Sequence, residues 1–228
     1  MLYKLGLQTF YGPNLLVDLA ELDTEMLPYT KKYFEKYFLN EESFLIESSD
    51  VWYSDRVSYG VEEVGKPREC HEEKYGYEVL CGSGVVNGKL YGGCIESIYD
   101  AMTREGEADI ISKYQILPTL EEWEEFVLFL ETSDSKSSPL ELEKMLLEFK
   151  NRGILNKVKG LTVGKPIDEV YYNEYKEVYR KVFDDLDTPI LYNVNFGHAV
   201  PRCILPYGAS VSVDYDNKKI VIGEKIFD

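Results

Sequence analysis

Residues 126–131 read F-V-L-F-L-E, and how this stretch is taken decides the fold. Five apolar residues without a break, two of them aromatic and one β-branched, suit a strand covered on both faces. Downstream, Ser138-Pro139-Leu140-Glu141 is a capping box with proline at the first helical position. The helix it opens carries Leu142, Met145, Leu146 and Phe149 on one face and stops at Gly153. Lys159 to Val163 is a short strand broken by Gly164-Lys165-Pro166. A second helix, from about Glu169 to Leu186, turns Val170, Tyr175, Val178, Tyr179, Val182 and Phe183 inward, and Pro189 to Val194 is the next strand. Strand, helix, strand, helix, strand predicts an α/β fold with a mostly parallel sheet flanked by helices and strand ends gathered on one edge.

Such an edge is where α/β proteins keep reactive side chains. Glu131 stands directly after the first strand, and the capping box downstream uses Ser138 and Glu141, so Glu131 has no capping duty. His198 follows Gly197 where the last strand gives way to a loop, and Pro201 and Pro206 stiffen the backbone beyond it. Although they are far apart in sequence, this topology brings both to strand C-termini. A carboxylate beside an imidazole fixes its tautomer and stabilises the imidazolium, the orienting half of a nucleophile, base and acid triad. A nucleophile is not evident: there is no G-x-S-x-G elbow, Ser83 and Ser133 do not sit on a strand-to-helix turn, and Cys94 and Cys203 read as small core residues.

Upstream, Leu2 to Tyr11 reads as strand-like, and Leu15 to Leu22 and Pro28 to Leu39 show helical spacing that marks packing faces, the latter with Tyr29, Tyr33, Phe34, Tyr37 and Phe38 in one stripe. Glu41 to Arg68 reads as short strands and exposed loops. Tyr77 to Cys81 and Val85 to Tyr91 alternate, with Asn87-Gly88 as a turn signal. Gly92-Gly93 before a helix starting near Cys94 lets backbone approach a ligand or a neighbouring element. Ala209 to Tyr215 and Lys219 to Ile222 form a β-hairpin around Asp216-Asn217.

The chain has 228 residues, 44% hydrophobic, enough for a real core. With 41 acidic against 25 basic residues its formal charge is −16, which argues against nucleic acid or an anionic membrane as the main partner. Four cysteines without C-x-x-C spacing argue against a zinc site, and no cofactor motif is present. Without a signal peptide or membrane-length run, a cytoplasmic protein with reduced thiols is expected.

Taken together, Gly6 to Asn14 (G-L-Q-T-F-Y-G-P-N), Gly88 to Glu96 (G-K-L-Y-G-G-C-I-E), Leu128 to Ser133, Gly160 to Pro166, Phe196-Gly197-His198 and Leu205 to Gly208 resemble, in order, successive motifs of the LD-carboxypeptidases, serine peptidase family S66. The branch of the microcin C immunity proteins is the most similar. The resemblance implies a C-terminal LD-carboxypeptidase-like domain at 76–228, preceded by a helical linker at 1–75. It implies His198 as base and Glu131 as its acid, with Glu96 in reserve for the acid. The family's serine, in a G-Y-S-D motif, belongs to an N-terminal domain upstream of the segment matching Gly6 to Asn14, so the chain is expected to lack it and to be inactive alone. The implied reaction is hydrolysis of an amide near a free carboxylate, in a murein tetrapeptide or a peptidyl-nucleotide, without metal. Gly92, Gly93, Glu96 and Arg202, and also Lys165, are candidates for holding the substrate. Separated from its nucleophile domain, such a chain is expected to self-associate as a homodimer. The competing expectation is a binding or interaction module derived from the family, without catalysis.

Overall fold

The computed structural model describes residues 2–23, 25–39, 41–223 and 226; Met1 and Asp228, the outer bounds of the linker and the domain, lie outside the described residues. Near the N-terminus the strand reading of Leu2 to Tyr11 holds only at its end. A 3-10 turn at Tyr3–Leu5, closed by left-handed Gly6, precedes β1 (Phe10–Tyr11). A single π-helical turn, Leu15–Leu19, follows, with the Asn14 side chain accepting from the Leu16 and Val17 N–H groups. It reverses the expected packing face: Asp18 is buried, while Leu15 and Leu16 are 68% and 70% exposed. Helix α1 (Pro28–Lys36) buries Tyr33, and Tyr37 just beyond it, but leaves Phe38 exposed.

Three short strands come next: β2 (Phe44–Ile46), β3 (Val51–Tyr53) and β4 (Cys70–Glu72), the last two forming a small hairpin-like sheet of their own. After them, β5 (Glu78–Cys81) and β6 (Val85–Cys94) do not pair with each other. Asn87-Gly88, expected to turn, lies inside β6. The absent side chain at Gly88 serves packing there, since a Cβ would stand 2.9 Å from the Glu125 carbonyl.

Beyond β6 the chain runs through α2 (Ile95–Thr103), α3 (Glu107–Lys113), α4 (Leu120–Trp123), β7 (Phe126–Glu131), α5 (Pro139–Asn151) and β8 (Gly160–Gly164). Ser138 and Glu141 form the expected capping box. Helix α6 (Tyr172–Val182) starts later than the apolar spacing suggests. Asp168, Glu169 and Tyr171 hold left-handed φ of 53–58°, which postpones regular helix to Tyr172. The remaining strands are β9 (Ile190–Val194), β10 (Leu205–Pro206), β11 (Ser210–Asp214) and β12 (Lys219–Ile222).

Eight strands form one sheet in the order β2-β12-β11-β6-β7-β8-β9-β5. The central four, β6 to β9, are parallel, as the alternation of strands and helices predicts, and the flanking pairs are antiparallel. Side chains on one face, among them Leu128, Leu130, Leu161, Val163, Ile190 and Tyr192, pack on α2, α5 and α6. On the other, Val127, Phe129, Leu191 and Val213 meet Tyr33, Tyr37, Phe196 and Leu205. Burial on both faces is what an unbroken apolar run such as 126–130 anticipates. No helix among the described residues is long and apolar enough to cross a membrane.

Leu128 is fully buried whereas Leu140, in the first turn of α5, is 77% exposed. Leu128→Ala should therefore lower unfolding free energy by about 2–5 kcal/mol, and Leu140→Ala by no more than about 0.5 kcal/mol, as read from urea denaturation midpoints.

Candidate active site

The four parallel strands finish together, and Glu131 is the last residue of β7, paired in register with Cys94 at the end of β6. The two-residue strand period puts it on the face of Val127 and Phe129. Its carboxylate is fully buried, with 0% side-chain exposure. After β9 the chain passes Asn195 and Phe196, both buried, and turns at Gly197. That turn needs glycine twice over: φ is +91°, and a Cβ would lie 2.4 Å from Glu131 Cγ. The backbone can thus fold tightly around the carboxylate and bring His198 back onto it.

Two groups of His198 then meet Glu131. Its backbone N–H donates to Oε2 at 3.1 Å, and Nδ1 lies 2.9 Å from Oε2 and 3.0 Å from Oε1. An ionised carboxylate only accepts, so Nδ1 carries the proton and Nε2 presents its lone pair. The histidine side chain is 37% exposed. Among the described residues all hydrogen bonds of the ring run through Nδ1, which leaves Nε2 to meet a reactant. The bond to Glu131 raises the imidazole pKa above its ordinary 6.5, against a smaller opposing effect of burial. This arrangement can abstract a proton through Nε2 and hold the resulting charge.

The other residues singled out from the sequence have different surroundings. Gly92 backs directly onto β7, where a Cβ would come 1.8 Å from the Phe129 carbonyl, and its own carbonyl accepts from Tyr207 Oη at 3.1 Å. Gly93, also buried, lies one residue nearer the site. Glu96, in the first turn of α2, ties down the loop after β7: its carboxylate accepts from the Ser133 N–H at 3.2 Å and the Ser137 hydroxyl at 2.8 Å. It also takes the Cys94 thiol at 3.2 Å and makes no bond to His198. Burial pushes the Cys94 thiol up to about 11, and the fully buried Cys203 up to about 12, so neither is a thiolate near neutrality.

Arg202 is turned inward. Its Nη2 donates to the His198 carbonyl at 3.1 Å, and its Nε faces Asp18 Oδ1 at 3.2 Å, an ion pair off the N–H direction. Lys165 is buried and ion-paired, with Nζ 2.9 Å from Glu73 and 2.6 Å from Glu169. It also stands 5.3 Å from the centre of the Trp52 ring. Trp52 itself stacks on His71 at 4.1 Å, in the β3–β4 pair. That pair is anchored beside the site because Tyr53 N–H donates to the Val200 carbonyl at 2.9 Å. Among the described residues no cluster of His, Cys, Asp and Glu is arranged to hold a metal ion.

Two participants escaped the sequence reading. Tyr11 donates its hydroxyl to Glu131 Oε1, and Asp18 holds Arg202 behind the histidine. Tyr11 looked like a strand end, and Asp18 sat in what looked like an apolar helix face. The signal for Asp18 was there: a lone acid within Leu15-Leu16-Val17-Asp18-Leu19 needs a partner if the turn packs inward.

The sequence profile of the LD-carboxypeptidase C-terminal domain matches residues 87–213. The chain is similar to the microcin C7 self-immunity protein MccF of Escherichia coli, 24% identical over a 229-residue alignment that covers 97% of this chain and 61% of that protein. It is also similar to an MccF-like protein from Streptococcus pneumoniae, crystallised in complex with AMP. The two are 41% identical with a TM-score of 0.89, over 96% of this chain and 64% of that one. The structure of MccF in complex with aspartyl sulfamoyl adenosine, 22% identical, shares the fold at a TM-score of 0.74, over 99% of this chain and 63% of that one. The chain spans about three-fifths of the length of the curated relatives it matches.

Gly197→Ala should push Glu131 off His198 and lower stability by roughly 2–4 kcal/mol, measured by chemical denaturation. The pair also sets a pH dependence. Because the folded His198 pKa is raised, its contribution to stability is complete below about pH 6.5 and is lost as pH climbs through the folded value. Thermal unfolding should accordingly show the wild type losing stability relative to Glu131→Gln as pH rises across that interval.

Proposed function

The chain belongs to the LD-carboxypeptidase C-terminal domain family, and from that premise we propose that it supplies the acid and the base of a serine-peptidase triad. The observation that carries the reading is the partly exposed imidazole of His198 held by Nδ1 at 2.9 Å from the buried Glu131. In the proposed reaction the serine comes from outside these 228 residues, within the part of the longer relatives that this chain does not span. His198 Nε2 takes the serine proton as the oxygen attacks the scissile carbonyl, and Glu131 stabilises the imidazolium that forms. Collapse of the tetrahedral intermediate expels the amine, which His198 protonates. Water then attacks the acyl-enzyme with the same base, releasing the acid and restoring the serine. Donors for the oxyanion would come with the serine.

The substrate is an amide near a free carboxylate, in a peptidyl-nucleotide or a murein tetrapeptide. The AMP held by the 41%-identical streptococcal relative favours the nucleotide conjugate. Residues 76–228 would carry the acid and the base, and 1–75, which add β2 to the main sheet and Tyr11 to the site, would be the linker that runs on to the nucleophile domain. Leu5, Leu7, Leu15 and Leu16, each more than half exposed, support a covering partner for that linker, either the nucleophile domain or a second copy in a homodimer. The reaction is assigned to the cytoplasm.

The test is hydrolysis of an aminoacyl sulfamoyl adenosine and of a murein tetrapeptide, by this chain alone and with a serine-bearing N-terminal segment from a longer relative added. Activity is expected only in the combination, falling by about 10³-fold or more in His198→Ala. Binding of the conjugate without hydrolysis in either mixture would establish the non-catalytic module instead.

A further inference from the structure

Resting on the reading of His198 as the base, we propose that Tyr11 is a positioning residue: its hydroxyl holds Glu131 Oε1 and limits how strongly the carboxylate draws on the His198 imidazolium. The two carboxylate oxygens are unequally served by the histidine. Oε2 takes the His198 backbone N–H at 3.1 Å and Nδ1 at 2.9 Å, while Oε1 shares only Nδ1, at 3.0 Å. Tyr11 supplies the missing donor to Oε1. It comes from the two-residue ladder of β1 with β10, outside the main sheet, in which Tyr11 pairs with Leu205. Its ring is fixed between Phe129, centroids 5.4 Å apart, and Tyr207, at 6.4 Å.

Burial, and then the charge of Glu131, push the Tyr11 hydroxyl far above its ordinary pKa, so it remains an O–H donor throughout the pH range of the folded protein. Cys94 and Tyr207 are the other titratable groups that face it. His198 is faced by Glu131, by Arg202, which opposes its protonation, and by Asp134, which favours it. A carboxylate that already accepts from tyrosine has less negative charge to offer an imidazolium. Tyr11 thereby offsets part of the rise that Glu131 imposes on His198 and enlarges the neutral, proton-accepting fraction near pH 7. A base held too strongly by its acid would rest protonated and could not activate a serine.

The chain contains two histidines, His71 and His198, so their imidazoles can be titrated separately by NMR with labelled histidine in the 228-residue chain. Tyr11→Phe should raise the His198 pKa by roughly 0.5–1 pH unit and leave His71 unmoved. Glu131→Gln should lower it. A His198 pKa unchanged or lowered in Tyr11→Phe would overturn the role of Tyr11 while leaving the acid and base pair intact. An unmoved value in Glu131→Gln would instead remove the pair itself. Should Tyr11→Phe not fold, 3-fluorotyrosine placed at position 11, a stronger donor, gives the opposite test: His198 should titrate lower, and an unmoved value again overturns the proposal.

Discussion

Glu131 is an ionisable group that water does not reach, and the shape of the surrounding chain follows from the donors it needs. Burying a carboxylate is costly unless hydrogen bonds replace the water it gives up. Here a tyrosine hydroxyl, a backbone N–H and an imidazole N–H converge on two oxygens. The backbone N–H is available only because Gly197 tolerates a left-handed turn within van der Waals range of the acid. The imidazole is available only because β7 and β9 are parallel and end at one level, with β8 between them. The tyrosine requires a separate piece of chain to cross over and pair with β10. Apolar packing beneath, through Phe129 and Phe196, keeps solvent out and makes each of these bonds count for more.

A second tier of charge holds the first in place. Asp18 engages Arg202, whose other end accepts the task of holding the His198 carbonyl. Glu21, three residues along, is bracketed by Arg56 and Arg68 at 2.7 and 2.8 Å, all with side chains at most 4% exposed. Removing one member of such a buried set leaves an uncompensated charge, so these pairs specify where the N-terminal segment lies more than they add net stability. Lys165 plays the corresponding part on the other flank, with Glu73 and Glu169.

The parallel core and the placement of Glu131 and His198 were legible in the sequence because each rests on a local rule. An unbroken apolar strand, a capping box at Ser138 and Glu141, and a glycine stop at Gly153 need no knowledge of the rest of the chain. Asn87-Gly88 misled because the demand there is not local: Gly88 is small to let β6 run against Glu125, and turn chemistry alone does not reveal that. The same is true of Leu15 to Leu22, where apolar spacing suggested an inward face but the Asp18 and Arg202 pair decided the orientation. Tyr11 could not be read as a donor to Glu131 because its role exists only after a pairing between segments almost two hundred residues apart, Phe10 with Pro206. Where a residue's task is defined by long-range contact, its type constrains the chemistry but not the partner.

That remoteness bears on how the molecule comes together in time. The links from Glu131 to His198 and to Tyr11 close chain separations of 67 and 120 residues. Closing such loops is entropically expensive until the central strands have already aligned. The full set of donors on the carboxylate therefore requires both the aligned β6 to β9 core and a docked N-terminal segment. A chain that has buried its apolar residues but not yet docked its N-terminal segment would be compact while its charged centre was still unfinished.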